Sequence, residues 1–138
     1  MVEGIGGIMS KYVTDTHALY WYLSDDKRLG TKVRAIYQQA LKNDILIFIP
    51  SIVLAELYWI LNKQDKANIF PILFDVLDEA SQFCFVDFQA EHVLLFDELS
   101  KIPEMHDRMI VVVAKILGIP CLTKDEKIIN SNLVETIW

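Results

Sequence analysis

The sequence predicts an α/β protein: a three-layer α/β/α sandwich around a mainly parallel central sheet of about five strands. Three observations carry that expectation. Strand-like and helix-period segments alternate along the chain, the pattern of parallel strands joined by covering helices. Residues 45–49 read ILIFI with no polar break, which marks a strand buried on both faces. The 138 residues contain no repeat, low-complexity tract or interdomain linker, so one core must serve all the elements.

Taken in order, residues 11–14 form a short strand that ends at Asp15, and 17–23 form a helix. Asp25, Asp26 and Gly30 make a loop. Thr31 is placed to cap a helix running to about residue 42. The strand 45–49 stops at Pro50, and Ser51 is placed to cap a helix over 52–62. Residues 66–80 have helical character, with Pro71 requiring either a start or a kink. A third strand over 82–88 leads to an amphipathic helix over 90–101 and a loop at 102–105. A helix from about Asp107 to Leu117 meets a Gly118 stop, followed by a strand at 120–123 and a polar break. Residues 134–138 supply a last strand. The opening MVEGIGGIM holds three of the five glycines, one acid and no basic cluster. It does not read as a signal peptide. The expectation is a disordered or loosely ordered leader at 1–9, with Met9 an alternative start, ahead of a single domain at 10–138.

Composition narrows the function. The hydrophobic fraction of 53% exceeds ordinary globular usage, which leaves apolar surface for a partner to cover. No uncharged apolar run approaches the roughly 18–20 residues that span a bilayer, so no membrane role is expected. Cys84 and Cys121 lie in apolar runs without CxxC spacing, which points to reduced core thiols in a cytoplasmic protein. Thirteen Lys and Arg against 19 Asp and Glu give a net charge of −6. Binding nucleic acid through overall charge is therefore excluded, and any such chemistry must bring its own cations.

Four acids fall at the carboxyl edge of the expected sheet, where open α/β sheets bind ligands. Asp15 follows the first strand, Glu56 lies in the second turn after the second, Asp107 opens the helix before the fourth, and Asp125 follows the fourth. A helix rises about 1.5 Å per residue and a strand about 3.3 Å, so the out-and-back segment 107–125 returns its two acids to one rim. Each acid has an ordinary reading too. Asp15 and Asp107 suit helix N-caps, and Asp125 suits a turn. Glu56 resists most, being the only charge in SIVLAELYWIL. Gathered acids repel unless something cationic compensates. Hard oxygens without a His or Cys set point to Mg²⁺ or Mn²⁺, one ion or two, rather than zinc. Thr16, Ser51 and Thr123 stand beside the acids and can orient water or metal. Arg108, Lys124 and Lys127 are the nearest bases for a phosphate. His17 and His106 adjoin quartet acids, whereas His92 reads as structural. The aromatics Tyr20, Trp21, Tyr22, Tyr58 and Trp59 fit either core packing or base stacking.

DTHALYWYL at 15–23, PSIVLAEL at 50–57, HDRMIVVVA at 106–114 and LTKD at 122–125, in that order, resemble the PIN-domain family. Within it they look most like the VapC-type toxins of toxin–antitoxin pairs, and the closing ETIW resembles the family's last strand. Residues 63–105 match by pattern only. The resemblance implies a Mg²⁺- or Mn²⁺-dependent endoribonuclease whose catalytic, metal-holding quartet is Asp15, Glu56, Asp107 and Asp125. It also implies an RNA substrate, a small antitoxin that silences the enzyme, and a homodimer. Alternatives remain: an RNA-processing PIN-like nuclease outside any toxin pair, or a non-catalytic PIN-like binding domain. A phosphoryl-transfer receiver fits less well, since Thr16, not a second acid, follows Asp15.

Overall fold

Strands without polar residues need cover on both faces, and this chain provides it. The computed structural model describes residues 9–42 and 44–138. The expected leader lies outside the described residues, except for Met9, which is exposed. Five strands form one sheet in the order β3-β2-β1-β4-β5, every pair parallel, flanked by helices. They are β1 Ser10–Thr14, β2 Ile45–Pro50, β3 Phe83–Val86, β4 Cys121–Leu122 and β5 Thr136–Ile137. The helices are α1 Thr16–Leu23, α2 Thr31–Ala40, α3 Ser51–Lys63, α4 Phe70–Glu79, α5 Met105–Leu117 and α6 Glu126–Ser131. Short 3-10 structure occupies Ala67–Ile69, and a longer 3-10 run covers Ala90–Leu99. Among the described residues, no helix is long and apolar enough to cross a membrane.

The strand order matters more than the strand count. From β1 the chain moves outward to β2 and β3, then returns to add β4 and β5 on the other side. β1 and β4 therefore flank the point of reversal. Their register pairs Val13 with Cys121 and Thr14 with Leu122, so Asp15 and Thr123 emerge side by side just past the ladder. The core beneath is apolar: Val13, Ile47, Ile49, Val53, Leu57, Val111, Val112 and Leu122 are fully enclosed. Tyr37 is enclosed with them, stacked on Tyr22, and its hydroxyl meets Thr14 Oγ1 at 2.6 Å. Thr14 Oγ1 in turn donates to the Asp15 carbonyl at 3.1 Å, a chain that fixes the end of β1.

Several element ends differ from the sequence reading, each for a local reason. Thr31 is not a cap. Gly30 holds that position, and the Lys32 amide that a cap would serve donates instead to the Trp138 carbonyl at 3.2 Å. Ser51 is likewise the first helical residue after Pro50, and its hydroxyl accepts from the Phe88 amide at 3.0 Å. That bond holds the chain as it leaves β3, which ends at Val86 instead of 88. Pro71 stands in the first turn of α4, so the helix starts there without a kink. The run 90–99 winds as 3-10 and not α: the Ser100 amide bonds Asp97, which leaves the Phe96 carbonyl for Arg108. The expected polar break after β4 is in fact α6, capped by Asp125.

Gly30 carries a steric requirement. A Cβ built there would lie 2.6 Å from both the Trp138 ring and its carbonyl oxygen. Replacing Gly30 with Ala should lower the urea midpoint by the equivalent of ~1–3 kcal/mol, the usual effect of overpacking. An unchanged midpoint would show that the Trp138 contact is dispensable.

Candidate functional site

Parallel pairing leaves the carboxyl ends of β1, β2 and β4 at one edge, and a hollow of about 960 Å³ opens there. All four acids singled out from the sequence line it: Asp15, Glu56, Asp107 and Asp125. Thr16, His17, His106, Lys124 and Lys127 line it as well. The convergence has a simple origin. β1 and β4 are neighbours, so the residues that follow them, Asp15 and Asp125, are neighbours too. α3 and α5 pack against one another and bring Glu56 and Asp107 to the same opening.

Each carboxylate is held in its own way. Asp15, only 8% exposed, caps α1 by accepting from the Ala18 amide at 2.8 Å, and the Thr123 hydroxyl donates to it as well. Thr123 Oγ1 also accepts from the Asp125 amide at 3.0 Å, so one hydroxyl couples two acids. Asp125 caps α6 through the Lys127 amide at 2.8 Å. Both oxygens of Glu56 have protein partners: Thr16 Oγ1 donates to one, and His106 Nδ1 stands 3.1 Å from the other. Asp107 lies in the first turn of α5 and not at its cap, which is Glu104, so capping does not account for it.

The electrostatics follow from burial and crowding. Loss of water pushes the Asp15 carboxyl up to about 6; the Thr123 and Ala18 hydrogen bonds oppose that rise, and Asp125 and Asp107 add to it. Asp107 is also pushed up to about 6, first by burial and then by Asp125, Glu104 and Glu56, with Lys127 opposing. These are hard oxygen donors in a site that penalises their charge, the setting a small divalent cation relieves. Among the described residues, no three His, Cys, Asp or Glu side chains close on a single point as a ready-made cage. Mg²⁺ tolerates such a looser set, because it keeps several waters and takes one or two carboxylates directly. The donor set fits Mg²⁺ or Mn²⁺ on those terms.

Two expected helpers lie elsewhere. Ser51 is engaged with Phe88, and Arg108 donates to the Ile102 and Phe96 carbonyls, tying α5 to the preceding 3-10 run. Neither lines the hollow, so neither is placed to touch a phosphate there. Lys124 does line it, its ammonium 4.9 Å above the Trp21 ring. Sequence reasoning passed over Lys63 and assigned Trp59 no role of its own. Both line the hollow. The signal was present: from Glu56 they lie three and seven residues on, the same face of a helix.

Comparison with known proteins agrees with this architecture. The model of the PIN domain family matches residues 12–131. VapBC2 of Rickettsia felis, solved on a DNA fragment from its promoter, is similar over 92% of this chain and 97% of that one, at 21% identity and a TM-score of 0.69. DNA-bound VapBC of Salmonella typhimurium is similar over 94% and 98%, at 17% identity and a TM-score of 0.67. VapC20 of Mycobacterium tuberculosis, a sarcin–ricin loop cleaving toxin, is similar over 90% and 97%, at 14% identity and a TM-score of 0.63. No curated relative matches in sequence.

The raised Asp15 carboxyl has a consequence for stability without metal. Between the unfolded value of 3.8 and the folded value of about 6, the folded chain binds more protons than the unfolded one. Stability therefore falls as pH rises through that window. The full penalty, about 2–3 kcal/mol for two pH units, is present above it. Asp15→Asn should be more stable than the parent by roughly that amount at neutral pH in EDTA. The gain should vanish below about pH 4. Urea titrations at both pH values check this, and an equal difference at both would remove the buried charge as its cause.

Proposed function

This chain belongs to the PIN-domain family, and from that premise we propose that it is a Mg²⁺- or Mn²⁺-dependent endoribonuclease, the toxin of a toxin–antitoxin pair. The observation that carries the reading is the meeting of Asp15, Glu56, Asp107 and Asp125 in one hollow at the sheet reversal. A divalent ion bound there supplies an activated water and neutralises the charge that develops on a phosphate under attack. Asp15, Glu56, Asp107 and Asp125 would hold the ion or its waters. Thr123 and Ala18 keep Asp15 aimed, while Thr16 and His106 keep Glu56 aimed. Lys63, Lys124 and Lys127 stand around the opening and receive the RNA backbone. The products are a 5′-phosphate and a 3′-hydroxyl, by family resemblance.

The toxin reading is supported by likeness in fold to VapBC complexes and to a toxin that cleaves the sarcin–ricin loop. It also accounts for apolar surface that a monomer leaves uncovered. Ile72 on α4 is 64% exposed and Leu94 is 80% exposed. Such surface suits a small antitoxin and a second copy of the chain. The setting is cytoplasmic.

Asp107→Asn should fold normally by circular dichroism and lose at least the roughly 100-fold in cleavage rate that even outer-shell metal partners can be worth. EDTA should abolish wild-type cleavage, and Mg²⁺ or Mn²⁺ should restore it. Undiminished cleavage by Asp107→Asn, or by the wild type in EDTA, sinks the assignment. Mapping the ends of the cut RNA tests the product chemistry in the same assay.

A further inference from the structure

The wall of the hollow formed by α3 is ordered along its length. Its lining residues Ile52, Glu56, Trp59, Ile60 and Lys63 recur at helical spacing, so they form one stripe. Along that stripe a carboxylate, an indole and an ammonium follow each other on successive turns. At about 1.5 Å of rise per residue, Trp59 lies ~4.5 Å beyond Glu56 along the axis and Lys63 a further ~6 Å.

Trp59 differs from every other aromatic near the site. Trp21 is 5% exposed, with Arg28 4.7 Å and Lys124 4.9 Å from its ring. Tyr22 stacks on Tyr37, and Tyr58 meets Phe70 edge-on. Trp138 packs against Trp21. Trp59 is 57% exposed, lines the hollow, and makes no ring contact among the described residues. An exposed indole in the wall of a hollow that also holds four carboxylates has a flat apolar face that no other ring among the described residues covers. A nucleobase supplies a matching face, and stacking tolerates any base because each has one. Duplex RNA keeps its bases stacked inside, so only an unpaired nucleotide can offer that face.

We propose that Trp59 is a base-stacking platform, receiving one unpaired nucleobase of the RNA cut in this hollow while Lys63 holds the adjoining backbone. The proposal rests on the ribonuclease reading above and adds a binding subsite to it. Trp59 requires an unpaired nucleotide beside the cut, and Lys63, one turn further on, pairs with phosphate.

The test uses Asp107→Asn protein in Mg²⁺, which leaves the RNA intact, and fluorescence anisotropy with a short labelled single-stranded RNA of mixed sequence. Adding Trp59→Ala should weaken binding about ten-fold or more, the effect of losing one stacked base. Trp59→Phe should recover most of the loss. An RNA of the same length with abasic sugars should bind the Trp59→Ala and parent proteins equally. Lys63→Ala should instead make the plot of log affinity against log salt shallower by about 0.7, one phosphate contact on a single strand. Unchanged binding by Trp59→Ala, or an equal loss on abasic RNA, overturns the stacking role. So does unchanged RNA binding with a shifted oligomeric state in size exclusion, which would assign the indole to a contact between protein chains. Failure of the wild type to cut any RNA in Mg²⁺ would sink the ribonuclease reading and this one with it. Cleavage by the wild type alongside unchanged binding by Trp59→Ala sinks this one alone.

Discussion

The short parallel ladder between β1 and β4 determines where negative charge collects. It pairs only Val13 with Cys121 and Thr14 with Leu122, yet it sits where the sheet reverses its order. Chain leaving two neighbouring parallel strands must emerge at the same edge, and here both exits carry an aspartate. The molecule supports this arrangement from below. Tyr37 braces Thr14, Thr14 braces the Asp15 carbonyl, and Thr123 spans Asp15 and Asp125. Burial withholds water from Asp15 above all, the one acid of the four that is almost wholly enclosed. Charge repulsion is thus built into the resting protein and held in place by hydrogen bonds and packing.

That local picture changes the meaning of the net charge of −6. Overall acidity argues against attraction to a polyanion at long range, but contact is decided within a few ångströms of the site. There, Lys63 of α3 and Lys124 and Lys127 after β4 line the same hollow as the four acids. One of them, Lys124, lies over the face of Trp21. A net negative chain can therefore still set cationic side chains beside its most acidic place.

Much of the architecture was readable before any coordinates. The uninterrupted apolar runs located β2 and β3, Gly118 located the end of α5 with a left-handed conformation at φ 66°, and the alternation of elements implied a parallel sheet. The four acids were readable for the same reason: strand ends are strongly signalled, and functional edges lie at strand ends. What escaped was settled by the shortness of an element or by distant partners. α6 is six residues long, too short for its periodicity to register. Gly30 takes the cap position of α2, and Trp138, more than a hundred positions away, serves the Lys32 amide. The Phe96 carbonyl in the run 90–99 is met by Arg108, and Ser51 is claimed by Phe88. Local propensity contains none of these contacts. Lys63 is a different case, because counting turns from Glu56 would have found it, and the same count would have set Trp59 apart from the other four aromatics.

The stripe on α3 bears on how such a site can change over time. Glu56, Trp59 and Lys63 ride on one continuous helix, so their spacing is a property of the helical screw and not of a loop that can adapt. Inserting a single residue between them would turn everything downstream by about 100° and swing the lysine off the wall altogether. Drift at this wall is therefore confined to exchanging one side chain for another at fixed pitch, while growth or shortening of the chain is left to the surrounding loops.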